Sequence, residues 1–123
     1  MIPRYRAWLK KDKEMINVDE IHFNNGELDY IGDAITWMCQ NNDFVLMQST
    51  GLFDKNGKEI FEGDVVKMAK NVYSEPTYYE VVRHRGGAYR LESKQYGCEL
   101  WLRHTDCEIA GNIYENPELL EVE

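Results

Sequence analysis

The chain has 123 residues, 22 acidic against 14 basic side chains, and a formal net charge of -8 with its three histidines neutral. That length suits one domain with its own core, and a composition 43% hydrophobic and 12% aromatic excludes a disordered or fibrous polypeptide. The longest apolar run is Phe44, Val45, Leu46 and Met47, against the roughly 20 residues of a membrane-spanning helix, so no membrane partner is expected.

In chain order, residues 4–9 alternate with period two: Tyr5, Ala7 and Leu9 lie on one side, Arg4, Arg6 and Trp8 on the other. The charged stretch 10–14 then turns the chain into a return strand through Met15, Ile16, Asn17 and Val18, where Trp8 and Met15 meet across a hairpin. Ile21 and Phe23 continue the alternation until Asn24, Asn25 and Gly26, a turn whose glycine can take positive φ, and a short strand follows over residues 28–31. Asp33 is a good N-cap, and Ile35, Met38 and Cys39 share a helical face, so the spacing predicts at most two helical turns over residues 33–40, with an irregular loop as the alternative.

From Phe44 onward the pattern is that of strands. Residues 44–48 form one, ended by Ser49, Thr50 and Gly51, and residues 54–58 form a turn around Asn56-Gly57, a strong hairpin signal. Ile60 and Phe61 resume the apolar pattern. A bend at Gly63, held in a conformation that β-branched residues avoid, starts a strand at Val65. Residues 78–84 and 88–92 flank Gly86-Gly87, and residues 100–102 and 107–114 supply two further strands. Short strands without a helical pattern predict a mainly β protein, with a small closed or nearly closed barrel from residue 44 to 123 behind a β-rich extension over residues 1–43. In the tail, Asn116 before Pro117 predicts one helical turn that Leu119 and Leu120 pin to the barrel.

No nucleophile elbow, GxxxxGK or GxGxxG occurs, and Cys39, Cys98 and Cys107 are an odd count without CxxC spacing. Reduced thiols and no metal site follow, because a structural zinc site needs two close ligand pairs and only His104 and Cys107 are near each other. No cofactor is expected. The basic, charge-broken residues 1–13 carry no secretory or lipidation signal, and with the free thiols this predicts a cytoplasmic protein. Asp54, Glu59, Glu62 and Asp64 could make a hydrolytic or cation site, but solvated turn charges are the simpler reading and no accompanying nucleophile and base can be named, so no enzyme is expected.

Three blocks resemble the YopX family of small proteins encoded by bacteriophages and prophages. They are Arg6-Ala7-Trp8, residues 46–66 with Gly51-Leu52-Phe53-Asp54-Lys55-Asn56-Gly57-Lys58 at their centre, and residues 109–120 with Gly111-Asn112-Ile113-Tyr114-Glu115-Asn116-Pro117. The resemblance implies an SH3-like barrel with a wrapped N-terminal β-hairpin extension, and a phage protein in the cytoplasm of a bacterial host. It implies no reaction, cofactor or ligand residue.

Two surfaces are candidates for binding. Arg83, Arg85, Arg90 and Arg103 interleave with Tyr89, as single-stranded nucleic acid requires for phosphate neutralisation and base stacking, but a net charge of -8 opposes polyanions. Residues 1–13 hold Arg4, Arg6, Lys10, Lys11 and Lys13 against Asp12 alone, whereas residues 108–123 hold Glu108, Glu115, Glu118, Glu121 and Glu123 with no basic residue. Oppositely charged ends predict a homo-oligomer in which Trp8, Leu119 and Leu120 supply the contact energy. The expected function is therefore a non-enzymatic accessory role through contacts with itself or with a host or phage protein, with a nucleic-acid-binding barrel as the alternative.

Overall fold

A computed structural model describes residues 4–18, 20–32, 38–40, 44–69, 71, 73–84, 87–94 and 96–121. The chain is mainly β and divides into two compact units, residues 1–48 and 49–123. The division falls inside one strand, five residues beyond the boundary that composition suggests.

In the first unit, β1 (Tyr5–Leu9) pairs antiparallel with β2 (Glu14–Val18), placing Trp8 opposite Met15. Period-two alternation puts Ala7 and Leu9 out of water, where they join Phe44 in a small core flanked by Ile16, Val18, Ile21 and Leu46. A second ladder comprises β3 (Glu20–Asn24), β4 (Glu27–Gly32) and β5 (Met38–Gln40). Asn25 at φ 54° and Gly26 at φ 83° make the two-residue turn between β3 and β4, the conformation that Asn-Gly adopts at little steric cost. The expected helix is corrected at its end: Met38 and Cys39 lie in β5, where Ile31 of β4 pairs with Cys39. A paired strand satisfies these backbone groups with a neighbour already in place, which a two-turn helix cannot match. Residues 33–37 lie outside the described part.

Strand β6 (Phe44–Phe53) continues past its expected end. Its first half pairs with β1, and its second half pairs with β7 (Glu59–Phe61). The ladder is irregular between Ser49 and Phe53, where Gly51 takes φ 77°. Side chains fill the gaps: Ser49 Oγ accepts the Gly51 N–H, Thr50 Oγ1 accepts the Leu52 N–H, and Thr50 donates to the Ile60 carbonyl at 2.7 Å. The polar triplet that reads as a stop is thus a bulge.

In the second unit, β8 (Asp64–Met68), β9 (Thr77–Arg83), β10 (Tyr89–Glu92), β11 (Gly97–Glu99) and β12 (Glu108–Asn112) form a curled half-barrel of antiparallel strands in the order β11-β10-β9-β8-β12. Val66, Met68, Tyr79, Val81 and Leu91 line its core with Ile60, Leu100 and Cys107. Gly63 sits at φ 88°, donating to the Val81 carbonyl and accepting from Ile113 N–H, so the bend joins β9 to the segment after β12. Residues 100–102, expected as a strand, instead begin α1 (Leu100–Arg103), one helical turn. A strand would point Leu100 and Leu102 to the same side, whereas the turn buries Leu100 alone and releases Trp101 and Leu102 to water. The tail makes the expected single turn, of 3-10 type, over Pro117–Leu120 against β9, with Leu119 and Leu120 half-buried. Among the described residues no helix is long and apolar enough to cross a membrane.

Candidate functional site

The most distinctive local structure of the second unit begins at Asp54. Its carboxylate is buried, and Oδ1 accepts the N–H groups of Asn56 and Lys58, both at 2.9 Å, while Oδ2 accepts that of Ile109 at 3.0 Å. Burial alone pushes a carboxyl pKa up. Here the three backbone donors and the Lys58 charge outweigh it and hold Asp54 below the ordinary value. The loop over residues 54–58 is closed by this carboxylate, with Gly57 alone at positive φ, 81°, so the Asn-Gly signal marks the hairpin but not a two-residue turn.

The same hairpin is tied along residues 104–109. Lys55 N–H donates to the Cys107 carbonyl at 2.8 Å, and the His104 ring Nδ1 lies 2.7 Å from the Phe53 carbonyl. Lys55 and Glu108 form an ion pair at 3.8 Å. Arg103 reaches the Ala69 carbonyl and Asp106, each at 3.0 Å, and Cys107 Sγ donates to the Arg103 carbonyl at 3.3 Å. These bonds fix the C-terminal end of the α1 turn. Leu100 is wholly buried beneath it, whereas Trp101 is 67% exposed and Leu102 60%. Trp101 and Leu102, adjacent in sequence, thus make an exposed apolar pair on the α1 turn. The sequence reading missed it because a strand assignment would have buried half of it; the available signal was the break in alternation at Leu100-Trp101-Leu102.

Three of the four turn carboxylates, Asp54, Glu59 and Asp64, accept hydrogen bonds from backbone or side-chain groups. Asp54 is filled as described, Asp64 accepts the Phe61 N–H at 2.8 Å, and Glu59 accepts the Ser49 hydroxyl at 2.5 Å. Among the described residues, no group of three or more His, Cys, Asp or Glu is placed to hold a metal ion. Cys107 lies in the core, where burial pushes its pKa up to about 12; burial also raises that of Cys98, with Arg103 and Arg90 pulling partly the other way. Both are free thiols held neutral, and the Cys39 side chain lies outside the described part.

The structure brings only some of the sequence-predicted residues together. Arg90 is bound at 3.0 Å by both Glu92 and Glu99, and Arg103 by Asp106; these carboxylates raise the pKa of both guanidinium groups. Tyr89 packs against the core and stands opposite the exposed Arg83 in the β9–β10 register. Arg85 lies outside the described residues. Trp8 is half-buried in the first unit between Met15 and Val45, whereas Leu119 and Leu120 belong to the second.

A family model described as YopX protein matches residues 4–121. Among solved structures, protein EF1440 from Enterococcus faecalis is similar at 31% identity, covering 98% of this chain and 99% of that one, with a TM-score of 0.68. Protein YopX from Bacillus subtilis shares the fold at 21% identity, covering 95% of this chain and 97% of its own, with a TM-score of 0.64. No curated protein matches the chain.

Proposed function

Because this chain belongs to the YopX family, we propose that it is a non-enzymatic accessory protein of phage or prophage origin, acting in the cytoplasm of a bacterial host through contacts with other proteins. The observation that carries this reading is the exposed pair Trp101 and Leu102, presented on a turn whose C-terminal end is held by the bonds of Arg103 and His104. A rigid aromatic anchor of this kind is what protein interfaces use for their central contacts. The engagement of Arg90 and Arg103 with carboxylates favours protein over nucleic acid, because a phosphate would have to displace partners already at hydrogen-bond distance.

The test is affinity capture of the full chain from host cells, with nuclease treatment, mass spectrometry and sequencing of any nucleic acid recovered. A protein that survives nuclease and is lost with the Trp101→Ser, Leu102→Ser double variant is the expected result. Recovery of nucleic acid in its place, or a protein captured equally by the variant, overturns the reading.

A further inference from the structure

We infer that Asn25 is a site of spontaneous modification in the folded chain, its side-chain amide converting to a carboxylate through a cyclic imide, and that the same chemistry at Asn56 is held back by Asp54. The sequence places glycine directly after asparagine at two positions, Asn25-Gly26 and Asn56-Gly57. Glycine matters because the reaction runs through its backbone nitrogen, which a following side chain would crowd. That nitrogen, losing its proton to water or hydroxide, attacks Cγ of the asparagine; a C–N bond forms, the Cγ–Nδ2 bond breaks, and ammonia leaves. Water then opens the imide at either carbonyl, giving aspartate or its isomer linked through the side chain. The step needs no oxidant and no co-reactant besides water.

Both dipeptides are exposed, and an added Cβ at Gly26 or Gly57 would meet nothing within 4 Å among the described residues, so solvent reaches each glycine alike. Hydrogen bonding separates them. At the second site the attacking nitrogen is engaged: Gly57 N–H donates to the Asp54 carbonyl at 2.9 Å, and the N–H groups of Asn56 and Lys58, on either side, donate to Asp54 Oδ1 at 2.9 Å. Bringing the Gly57 nitrogen onto Cγ of Asn56 means breaking the first bond and turning the peptide planes that the other two hold. The Asp54 carboxylate, kept ionised by its donors, also opposes the negative charge that builds on the attacked amide. At the first site the hairpin closes on the pair Asn24 and Glu27, and the Gly26 N–H, at the second turn position, takes no part in the bonds that such a pair exchanges. The product matters there too. The isomer carries the chain through an extra carbon, for which a two-residue turn closing on an adjacent pair has no place, and either product adds a negative charge to a chain already at -8.

The experiment is peptide mapping by mass spectrometry of the full chain kept warm at mildly alkaline pH, folded and, in parallel, unfolded in urea. At each asparagine the fraction of amide turned to carboxylate is followed with time, and Asp54→Ala is carried alongside, with circular dichroism to confirm folding. Read against its own rate in urea, Asn56 should be slowed by folding at least about tenfold more than Asn25, the factor expected from the backbone bonds that must open around Gly57. Asp54→Ala should release Asn56 and leave Asn25 unchanged. An Asn56 that folding slows no more than Asn25 overturns the inference, as does an Asn25 that stays intact in the folded chain while the urea control converts, or a folded Asp54→Ala chain in which Asn56 remains slow. Where that variant does not fold, the comparison of folded with unfolded wild-type chain decides alone.

Discussion

Asp54 and Glu80 are carboxylates with opposite consequences for stability. Three backbone N–H groups hold Asp54 below the ordinary carboxyl pKa despite its burial, so its contribution is present above about pH 4 and is lost as pH falls through the folded value. Asp54→Asn keeps one acceptor oxygen but turns an amide toward the Ile109 N–H. In urea unfolding near neutral pH it should cost about 1–3 kcal/mol, with the difference narrowing in acid. Glu80 faces Glu92 across the β9–β10 register, and burial first, then that like charge, raises its pKa. A raised carboxyl pKa means that the folded state binds the proton more tightly, so stability is gained as pH falls through that value. Glu80→Gln should therefore stabilise the protein at neutral pH by an increment that vanishes in acid. At Gly111 the constraint is steric. An added Cβ would lie 2.3 Å from Asn116 Oδ1, the atom that accepts the Asn112 N–H. Gly111→Ala should destabilise, and substantially less so on an Asn116→Ala background, a coupling of about 0.5–2 kcal/mol in a double-mutant cycle.

At the scale of elements, α1 predicts a sharp contrast between neighbours. Leu100→Ala removes a fully buried side chain and should cost about 2–5 kcal/mol, whereas Trp101→Ser and Leu102→Ser should each stay within about 0.5 kcal/mol, all by chemical denaturation. What was legible in the sequence were features decided within a few residues: the β1–β2 hairpin, the Asn25-Gly26 turn, the Gly63 bend, and the Pro117 turn. Alternation also located β8 and β9 and hence the half-barrel. What was not legible depended on partners distant in the chain. The α1 turn is set by Ala69 and by the burial of Cys107, β5 by its pairing with β4, and the run of β6 through Ser49, Thr50 and Gly51 by hydroxyls that replace missing ladder bonds. The exposed pair on α1 was missed for the same reason, since Trp101 and Leu102 face water where Leu100 takes the core position.

For the whole molecule, the net charge of -8 is a mild burden on the folded state, because compaction draws like charges together. Raising salt from about 0.02 M to 0.3 M should lift the Tm by about 2–5 °C, followed by circular dichroism. The ties of the β6–β7 hairpin also bear on the protein's synthesis. Asp54 waits for the N–H of Ile109, 55 residues later, and the Phe53 carbonyl for His104, 51 residues later. At ordinary elongation rates a ribosome needs about 3–11 s to cover that span. Throughout it the nascent hairpin holds a carboxylate without its third donor and the buried face of Ile60 without its cover, so the second unit cannot complete its fold until Ile109 has been made.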